Sequence, residues 1–380
     1  MIMIIEGKYS TAKIYADELE RSAKGIIEAF CNSKVSEGTE LCLMPDVHPA
    51  KGCCIGTVLK SDDIFPGLLG GDIGCGISSF TFKAKKGIEL EKLDKYIHQN
   101  IPCGMKNNNG INQDTHGYIV AEVLEILKQI RDIVDIPIDK SLSSLCSLGG
   151  GNHFIEVGKS ANENNTYMLT VHSGSRNLGQ LVSEYALNIA PQLPDHEDTP
   201  RVFKRILKGT KEYDDILKVY ELVQRFAFWN RRAILTNIIG EMKWSTCGDF
   251  NIPHNYLEKV DDRIILHKGS ISAKKDQFVM IPLNMREGII IGKGKGNPDW
   301  MYSAPHGSGR LYDRKSVADN FTVNEFKKVM KGVYSSTISK ATLDECPMAY
   351  KPSDYIMESI KDTVEAEEII IPIYNFKGGK

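Results

Sequence analysis

"GLLGGDIGCGISSF", residues 67–80, sets an aspartate and a cysteine three positions apart, Asp72 and Cys75, among glycines. Glycine gives the backbone conformational freedom at a cost in chain entropy, so a turn this rich in it implies a sharp bend where Asp72 and Cys75 sit. A carboxylate oxygen and a soft sulfur held close together are the beginning of a metal site with mixed ligands. The turn runs straight into "ISSFTFKAKKG" (77–87), whose β-branched and aromatic residues predict a strand.

The same alternation of turn and strand extends in both directions. Upstream, "GTVLKS" (56–61) reads as a strand, and "TAKIYADELERSAKGIIEAF" (11–30) has apolar residues at helical spacing. Downstream, "GYIVAEVLEILKQIRDIV" (117–134) predicts a helix. "GGGNHFIEVG" (149–158) and "NTYMLTVHSGSRNLG" (165–179) each join an apolar strand to a glycine or serine turn. The most helical stretch, 214–242, is long enough for one long helix or two shorter ones. "RIILHKGSIS" (263–272), "DQFVMIPL" (276–283) and "EGIIIGKG" (287–294) return to strand character. Strands and helices do not alternate regularly. The expected fold is therefore α+β: one large domain over 1–380, mixed sheets and flanking helices around a central metal cleft.

Composition narrows the function. The chain has 380 residues, 42% hydrophobic and 25% charged, which is ordinary for a globular protein with a sizeable core. No apolar run approaches the roughly 20 residues of a membrane span. The start lacks a basic leader and a cleavage site, so a cytoplasmic protein is expected. The nine cysteines form no CxxC pair, which points away from a disulfide framework or a zinc ribbon. The net charge of −2 argues against broad nucleic-acid coating, though a local basic groove can be balanced by acids elsewhere. "RVFKRILKGTK" (201–211) and "FWNRR" (228–232) combine cations with aromatics and are candidates for such a groove, against the blander reading of a solvated face.

Four histidines stand beside small residues or proline: His153 in "GGGNHF", His172 in "TVHSGS", His254 in "NIPHN" and His306 in "SAPHGSGR". In a strand, Asn152, Phe154 and Glu156 share one face and His153 the other. Each histidine alone is more readily a structural residue than a ligand, and a buried cysteine is common. Together with Asp72 and Cys75 they suit a divalent transition metal, and a thiolate can bridge two such ions. Incomplete shells are what a catalytic metal needs. Asp46 and His48 in "MPDVH" are either partners that orient ligands or a structural turn. His98, His116, His196 and His267 read as solvated or structural. "GKGKGNP" (292–298) lacks the P-loop spacing and reads as a flexible basic turn.

"LMPDVHPAKG", "GGDIGCG", "LGGGNHFIEV", "VHSGSRNLG", "SAPHGSGR" and "PMAYK", in order from residue 44 to 351, together resemble the RtcB-type 3′-phosphate RNA-splicing ligases. The resemblance implies a ligase that joins an RNA 3′-phosphate, or a 2′,3′-cyclic phosphate after opening it, to a 5′-hydroxyl, using GTP and two manganese ions, in RNA repair or tRNA splicing. By motif, Asp72, Cys75 and His153 would hold the first ion, and Cys75, His172 and His254 the second. His306 would be the guanylated nucleophile, since neutral imidazole is a competent one. Asn152, Glu156, Asn284, Tyr350 and Lys377 would contact the nucleotide. Arg176, Lys268, Arg310 and Arg314 would hold phosphates of nucleotide or RNA, although Lys268 and Arg314 also fit as surface charges. An archease-like activator is an implied partner, and no membrane is.

The chain departs from the family in "IPLNMREGIIIG", where a serine-rich segment that helps line the guanine pocket is usual: Asn284 replaces one serine and Ile289 a second. His267 stands where an arginine is usual, and the chain is short for the family. These departures suggest a divergent branch serving RNA repair. Two other functions share the scaffold. A metal-dependent phosphoesterase would release phosphate from RNA ends without joining them. A non-catalytic RNA-binding paralogue would bind no metal.

Overall fold

The computed structural model describes residues 2–50, 52–104, 106, 113–190 and 200–379. The Asp72–Cys75 turn feeds strand Gly76–Lys83 (β5) of a seven-stranded antiparallel sheet. Its neighbours are Thr166–Ser173 (β7) and Thr246–Pro253 (β8), with Phe154–Lys159 (β6) beyond β7. Phe278–Pro282 (β12), Ile289–Gly294 (β13) and Val364–Lys377 (β15) complete it in the order β12-β13-β15-β6-β7-β5-β8. A six-stranded sheet contains Met3–Glu6 (β1), Thr11–Ile14 (β2), Glu40–Pro49 (β3) and Cys54–Ser61 (β4), followed in space by Arg263–Lys268 (β10) and Asn255–Val260 (β9). Within it only β2 and β3 run parallel. Ser270–Ser272 (β11) and Ser303–Pro305 (β14) form a small ribbon. The architecture is α+β, as expected.

One hydrophobic cluster unites the two large sheets. It includes Leu43, Leu59 and Leu266 from the first, Phe82, Val171 and Phe376 from the second, and Ile216, Val223 and Ile234 from the helix between them. That helix, Lys211–Met242, is one unbroken element of 32 residues. Thr210 caps it by accepting from the Tyr213 N–H, two acids sit in its first turn, and Lys243 ends it in the left-handed region. Its buried positions, from Tyr213 through Ile216, Tyr220 and Val223 to Ile234 and Ile238, keep three-to-four spacing. Among the described residues no helix is long and apolar enough to cross a membrane.

Two expectations need correction, and the strand character expected of "RIILHKGSIS" is refined. Residues 11–30 are not one helix: Thr11–Ile14 is a strand whose exposed and buried residues alternate, and the helix begins at Arg21. Pairing of Ala12 and Ile14 with Leu41 and Leu43 overrides the local helical spacing. "RIILHKGSIS" is two strands, broken at Gly269, whose φ is +64°. "GKGKGNP" is not a flexible turn, since β13 runs through Gly294 and a Cβ on Gly292 would sit 2.3 Å from the Glu365 carbonyl. Sequence reading also missed β15, which is interrupted by Pro372 at a register shift.

Candidate active site

Cys75 donates its N–H to the Asp72 carbonyl (3.1 Å), closing the turn ahead of β5. Gly74 there has φ +75°, and a Cβ on it would lie 2.8 Å from the Ala227 side chain and 2.9 Å from the Gln224 Cα. The long helix thus packs directly on the turn, which is why glycine is required. The sheet register brings the histidines to the same end. His172 on β7 pairs with Ile77 of β5 and Phe154 of β6, and His153 stands just before β6. His254, between β8 and β9, donates its N–H to the Cys75 carbonyl (2.8 Å).

The donor atoms converge. Cys75 Sγ lies 3.5 Å from His153 Nε2 and 3.3 Å from His172 Nε2. His172 and His254 approach to 3.2 Å through their Nε2 atoms, and His153 Nε2 is 3.4 Å from an Asp72 carboxylate oxygen. Two groups result, Asp72–Cys75–His153 and Cys75–His172–His254, each with its donor atoms within 4.8 Å of one another. His153 Nδ1 donates to the Leu148 carbonyl (2.9 Å), which turns Nε2 toward the cluster. Burial, reinforced by neighbouring histidines and cations, holds His172 and His254 well below the ordinary imidazole range, so both are neutral ligands at pH 7. Burial and the Asp72 carboxylate push the Cys75 thiol up, so a bound cation would be what deprotonates it. Neutral imidazoles, one sulfur and one carboxylate fit a divalent transition metal.

Sequence reading did not find Arg231 as part of this site. "FWNRR" supplies no RNA groove at this position, because the Arg231 side chain is fully buried beneath the cluster. Its guanidinium donates to Ser78 Oγ (2.9 Å), the Gly74 and Ser173 carbonyls (2.7 and 2.8 Å) and Asn251 Oδ1 (2.9 Å). Burial lowers it to about 10, while Cys75 and Asp72 pull the other way. Arg232 pairs instead with Asp249 at the surface (2.5 Å). The 201–211 stretch is similarly occupied, with Arg201 facing Glu184, Arg205 facing Asp63, Lys208 facing Asp262 and Lys211 facing Asp215.

A cavity of about 380 Å³ opens beside the cluster, and both His172 and His306 line it. His306 follows β14, and its ring centroid is 4.7 Å from that of His254. Its Nδ1 donates to the Asp46 carboxylate (2.6 Å), which leaves Nε2 free of that contact as the candidate nucleophilic atom. Asp46 is fully buried where the pairing of β3 with β4 shifts register. Of the two readings offered for Asp46, the structure supports the orienting one, toward His306. His48 Nδ1 donates to the Asp46 carbonyl (2.8 Å), and burial lowers this imidazole to about 4.

The far end of the cavity is built on the β6–β15 pair. Glu156 stands opposite Asn375 and Phe154 opposite Lys377, so these four share one face. Asn152, Phe154 and Glu156 all line the cavity, as their spacing predicted. Lys377 donates to the Asn152 carbonyl (3.2 Å) and to Glu345 (2.8 Å). Tyr350 also donates to Glu345 (2.6 Å), and Arg314 and Arg310 pair with it. Burial opposes ionisation of Glu345, yet Lys377 and Arg314 outweigh it and hold the carboxyl at about 2. Glu345 carries no motif signal beyond its place before "CPMAYK".

The remaining candidates divide. Arg310 and Arg314 line the cavity. Arg176 and Lys268 belong to the metal end. Arg176 donates to Ser147 Oγ (3.1 Å) and the Gly104 carbonyl (2.6 Å), and Lys268 to the Leu69 carbonyl (2.6 Å). Asn284 lines the cavity, but its side chain caps its own turn, accepting from the Arg286 and Glu287 N–H groups (3.0 Å each) and donating to Glu287. Ile289 is buried in a second core cluster and does not line the cavity. His267 stacks on Tyr256 (4.5 Å) and His98 bonds Ser336 (2.9 Å). His196 and the side chain of His116 lie outside the described residues.

A model of the family described as tRNA-splicing ligase RtcB matches residues 33–378. The chain is similar to the RNA-splicing ligase RtcB of Escherichia coli K12, with 28% identity over 369 residues, covering 89% of this chain and 90% of that protein. It is 24% identical to RNA-splicing ligase RtcB2 of Escherichia coli ATCC 25922 over 394 residues, covering 95% and 92%. The tRNA-splicing ligase RtcB of Methanococcus maripaludis is also 24% identical, covering 92% and 91%.

Proposed function

The chain belongs to the RtcB family of tRNA-splicing ligases, and on that premise we propose that it is an RNA ligase. It joins an RNA 3′-phosphate, or a 2′,3′-cyclic phosphate after opening it, to a 5′-hydroxyl, in RNA repair or tRNA splicing. GTP is consumed. Two manganese ions, held by Asp72, Cys75, His153, His172 and His254, supply Lewis-acid stabilisation of phosphate charge. The site draws on residues from Asp46 to Lys377, which supports treating the chain as one catalytic domain. An archease-like activator and a cytoplasmic location accompany this reading.

The chain's own residues carry the chemistry as follows. Asp46 holds the His306 Nδ1 proton, and Nε2 attacks the α-phosphorus of GTP. A nitrogen–phosphorus bond forms, the α–β phosphoanhydride breaks and pyrophosphate leaves. Asp46 stabilises the imidazolium side of that step. His306 then gives the guanylate to an oxygen of the RNA 3′-phosphate. The 5′-hydroxyl displaces GMP, forming the phosphodiester. Arg310 and Arg314, at the cavity wall, are suited to phosphate oxygens once released from Glu345.

The observation that carries this reading is His306, oriented by a buried carboxylate and with its ring 4.7 Å from that of a candidate metal ligand. Incubation with α-labelled GTP and manganese should leave acid-labile label on the protein, and His306→Ala should remove it. Label persisting in that variant overturns the role of His306. With RNA bearing a 3′-phosphate and a second RNA bearing a 5′-hydroxyl, a joined product is expected. Phosphate release alone would select the phosphoesterase, and absence of bound metal after manganese is offered would select the non-catalytic paralogue.

A further inference from the structure

Two adjacent residues of the long helix Lys211–Met242, Asn230 and Arg231, stand behind the two candidate ion groups, and both side chains are buried. Arg231 reaches all three strand ends that carry Cys75, His172 and His254. Its Nη1 gives its two hydrogens to the carbonyls of Gly74 and Ser173 (2.7 and 2.8 Å), the residue before Cys75 and the residue after His172. Nη2 donates to Asn251 Oδ1 (2.9 Å) on β8, the strand that leads into His254. Nε donates to Ser78 Oγ (2.9 Å), which in turn bonds Asn251 Oδ1 (2.8 Å). Every one of these acceptors is uncharged. A buried cation is costly, and an apolar side chain of similar volume often makes the more stable core. This guanidinium is accounted for by the ends it joins. Asn230 reaches a different place. Its Oδ1 accepts from the Ser147 N–H (3.1 Å), and its Nδ2 faces the Ser147 carbonyl (3.0 Å), Ser173 Oγ (3.1 Å) and the Gly174 carbonyl (3.1 Å). Ser173 Oγ donates to the Leu148 carbonyl (2.8 Å), the same oxygen that takes the His153 Nδ1 hydrogen (2.9 Å).

We propose that Asn230 and Arg231 are positioning residues that divide the metal centre between them: Asn230 sets the Asp72–Cys75–His153 group, and Arg231 sets the Cys75–His172–His254 group. This deepens the ligase reading and rests on its metal assignment. Consecutive residues of a helix point about 100° apart, so the two side chains leave one rigid element in different directions and each meets a different group. The planar guanidinium fork fixes the spacing of three strand ends at once, which a lysine, a point charge on a flexible stem, does not. The orientation of a histidine ligand is set by what its other ring nitrogen bonds, and Asn230 holds that oxygen through Ser173. Cys75 belongs to both groups, so loosening Arg231 reaches the first group only through the shared residue.

The test is a manganese titration of the full metal-free chain, with free ion counted by electron paramagnetic resonance. Wild type should take up two ions, one for each group. His153→Ala leaves Cys75–His172–His254 as the only complete group, and His254→Ala leaves only Asp72–Cys75–His153. In the His153→Ala background, Arg231→Met should weaken manganese binding by about 10–100-fold, and in the His254→Ala background by less than about threefold. Asn230→Leu should show the opposite pattern. Equal weakening of both groups by either variant, which general loosening of the fold would give, overturns the division, and so does no change in either. Where those buried variants do not fold, Asn251→Ala and Ser173→Ala each remove one contact of Arg231 and of Asn230, and they should act in the same directions to a smaller extent. A wild type that binds two ions while the variants depart from this pattern sinks the division alone. A wild type that binds fewer than two sinks the two-metal assignment and the division with it.

Discussion

Single atoms decide what His306 can do. Its Nδ1 is held by the Asp46 carboxylate, which fixes the ring and leaves the other nitrogen for the cavity. Asp46→Asn keeps the size of the side chain but loses the charge that, in the proposed reaction, would stabilise the developing imidazolium. It should slow transfer of guanylate to His306 by roughly a hundredfold or more, with nucleotide affinity little changed. Single-turnover labelling against nucleotide concentration separates the two effects. An equal loss in rate and in affinity would make Asp46 a packing residue only. The sequence brought out His306, Asp72, Cys75, His153, His172 and His254 because their residue types are unusual beside glycine and proline. Arg231 and Glu345 were invisible because arginine and glutamate are common, and only burial makes them exceptional.

At the scale of elements, the metal end depends on a helix pressed against a turn. Gly74 has φ +75° and leaves no room for a Cβ against Ala227 and Gln224. Gly74→Ala should therefore lower stability by about 1–3 kcal/mol from strained backbone and a displaced helix. It should also weaken metal binding, because Arg231 on that helix bonds the Gly74 carbonyl. Denaturant titration and metal content measured on the same preparation check both effects. Unchanged metal affinity in a destabilised variant would separate the turn from the site. Strands rich in β-branched and apolar residues and ending in a turn were legible, such as β5 and β7. β2 was misread because four residues suit either period. β15 was missed because Pro372 breaks its pattern, and neighbouring strands on both sides supply the pairing that local propensity lacks.

For the whole molecule, two buried carboxyls, Glu156 in the cavity wall and Glu345 bonded to the wall residues Tyr350 and Lys377, should make stability depend on pH. Burial raises Glu156 from 4.5 to about 8, so the folded state keeps a proton that the unfolded chain has released. Between those values the unfolded state binds fewer protons, and stability falls as pH rises. Glu345 has the opposite sign: held at about 2, it contributes stability above 4.5 that is lost as pH falls toward 2. Urea midpoints of wild type should fall relative to Glu156→Gln from pH 5 to 8. Parallel curves for the two proteins would remove Glu156 as the source. The chemistry of the donors was set by the sequence alone: soft sulfur, imidazole and carboxylate in glycine-flanked turns, in an order that resembles a ligase family. Only the tertiary structure decided which of them meet, that Arg201, Arg205, Lys208 and Lys211 face acids, and that the Arg231 guanidinium is spent on carbonyls beneath the candidate metal cluster. The physical reason is that ligand geometry, burial and unpaired acceptors such as Asn375 Oδ1 arise from strand register and helix packing between residues hundreds of positions apart, whereas residue type and local turn chemistry are written in the chain itself.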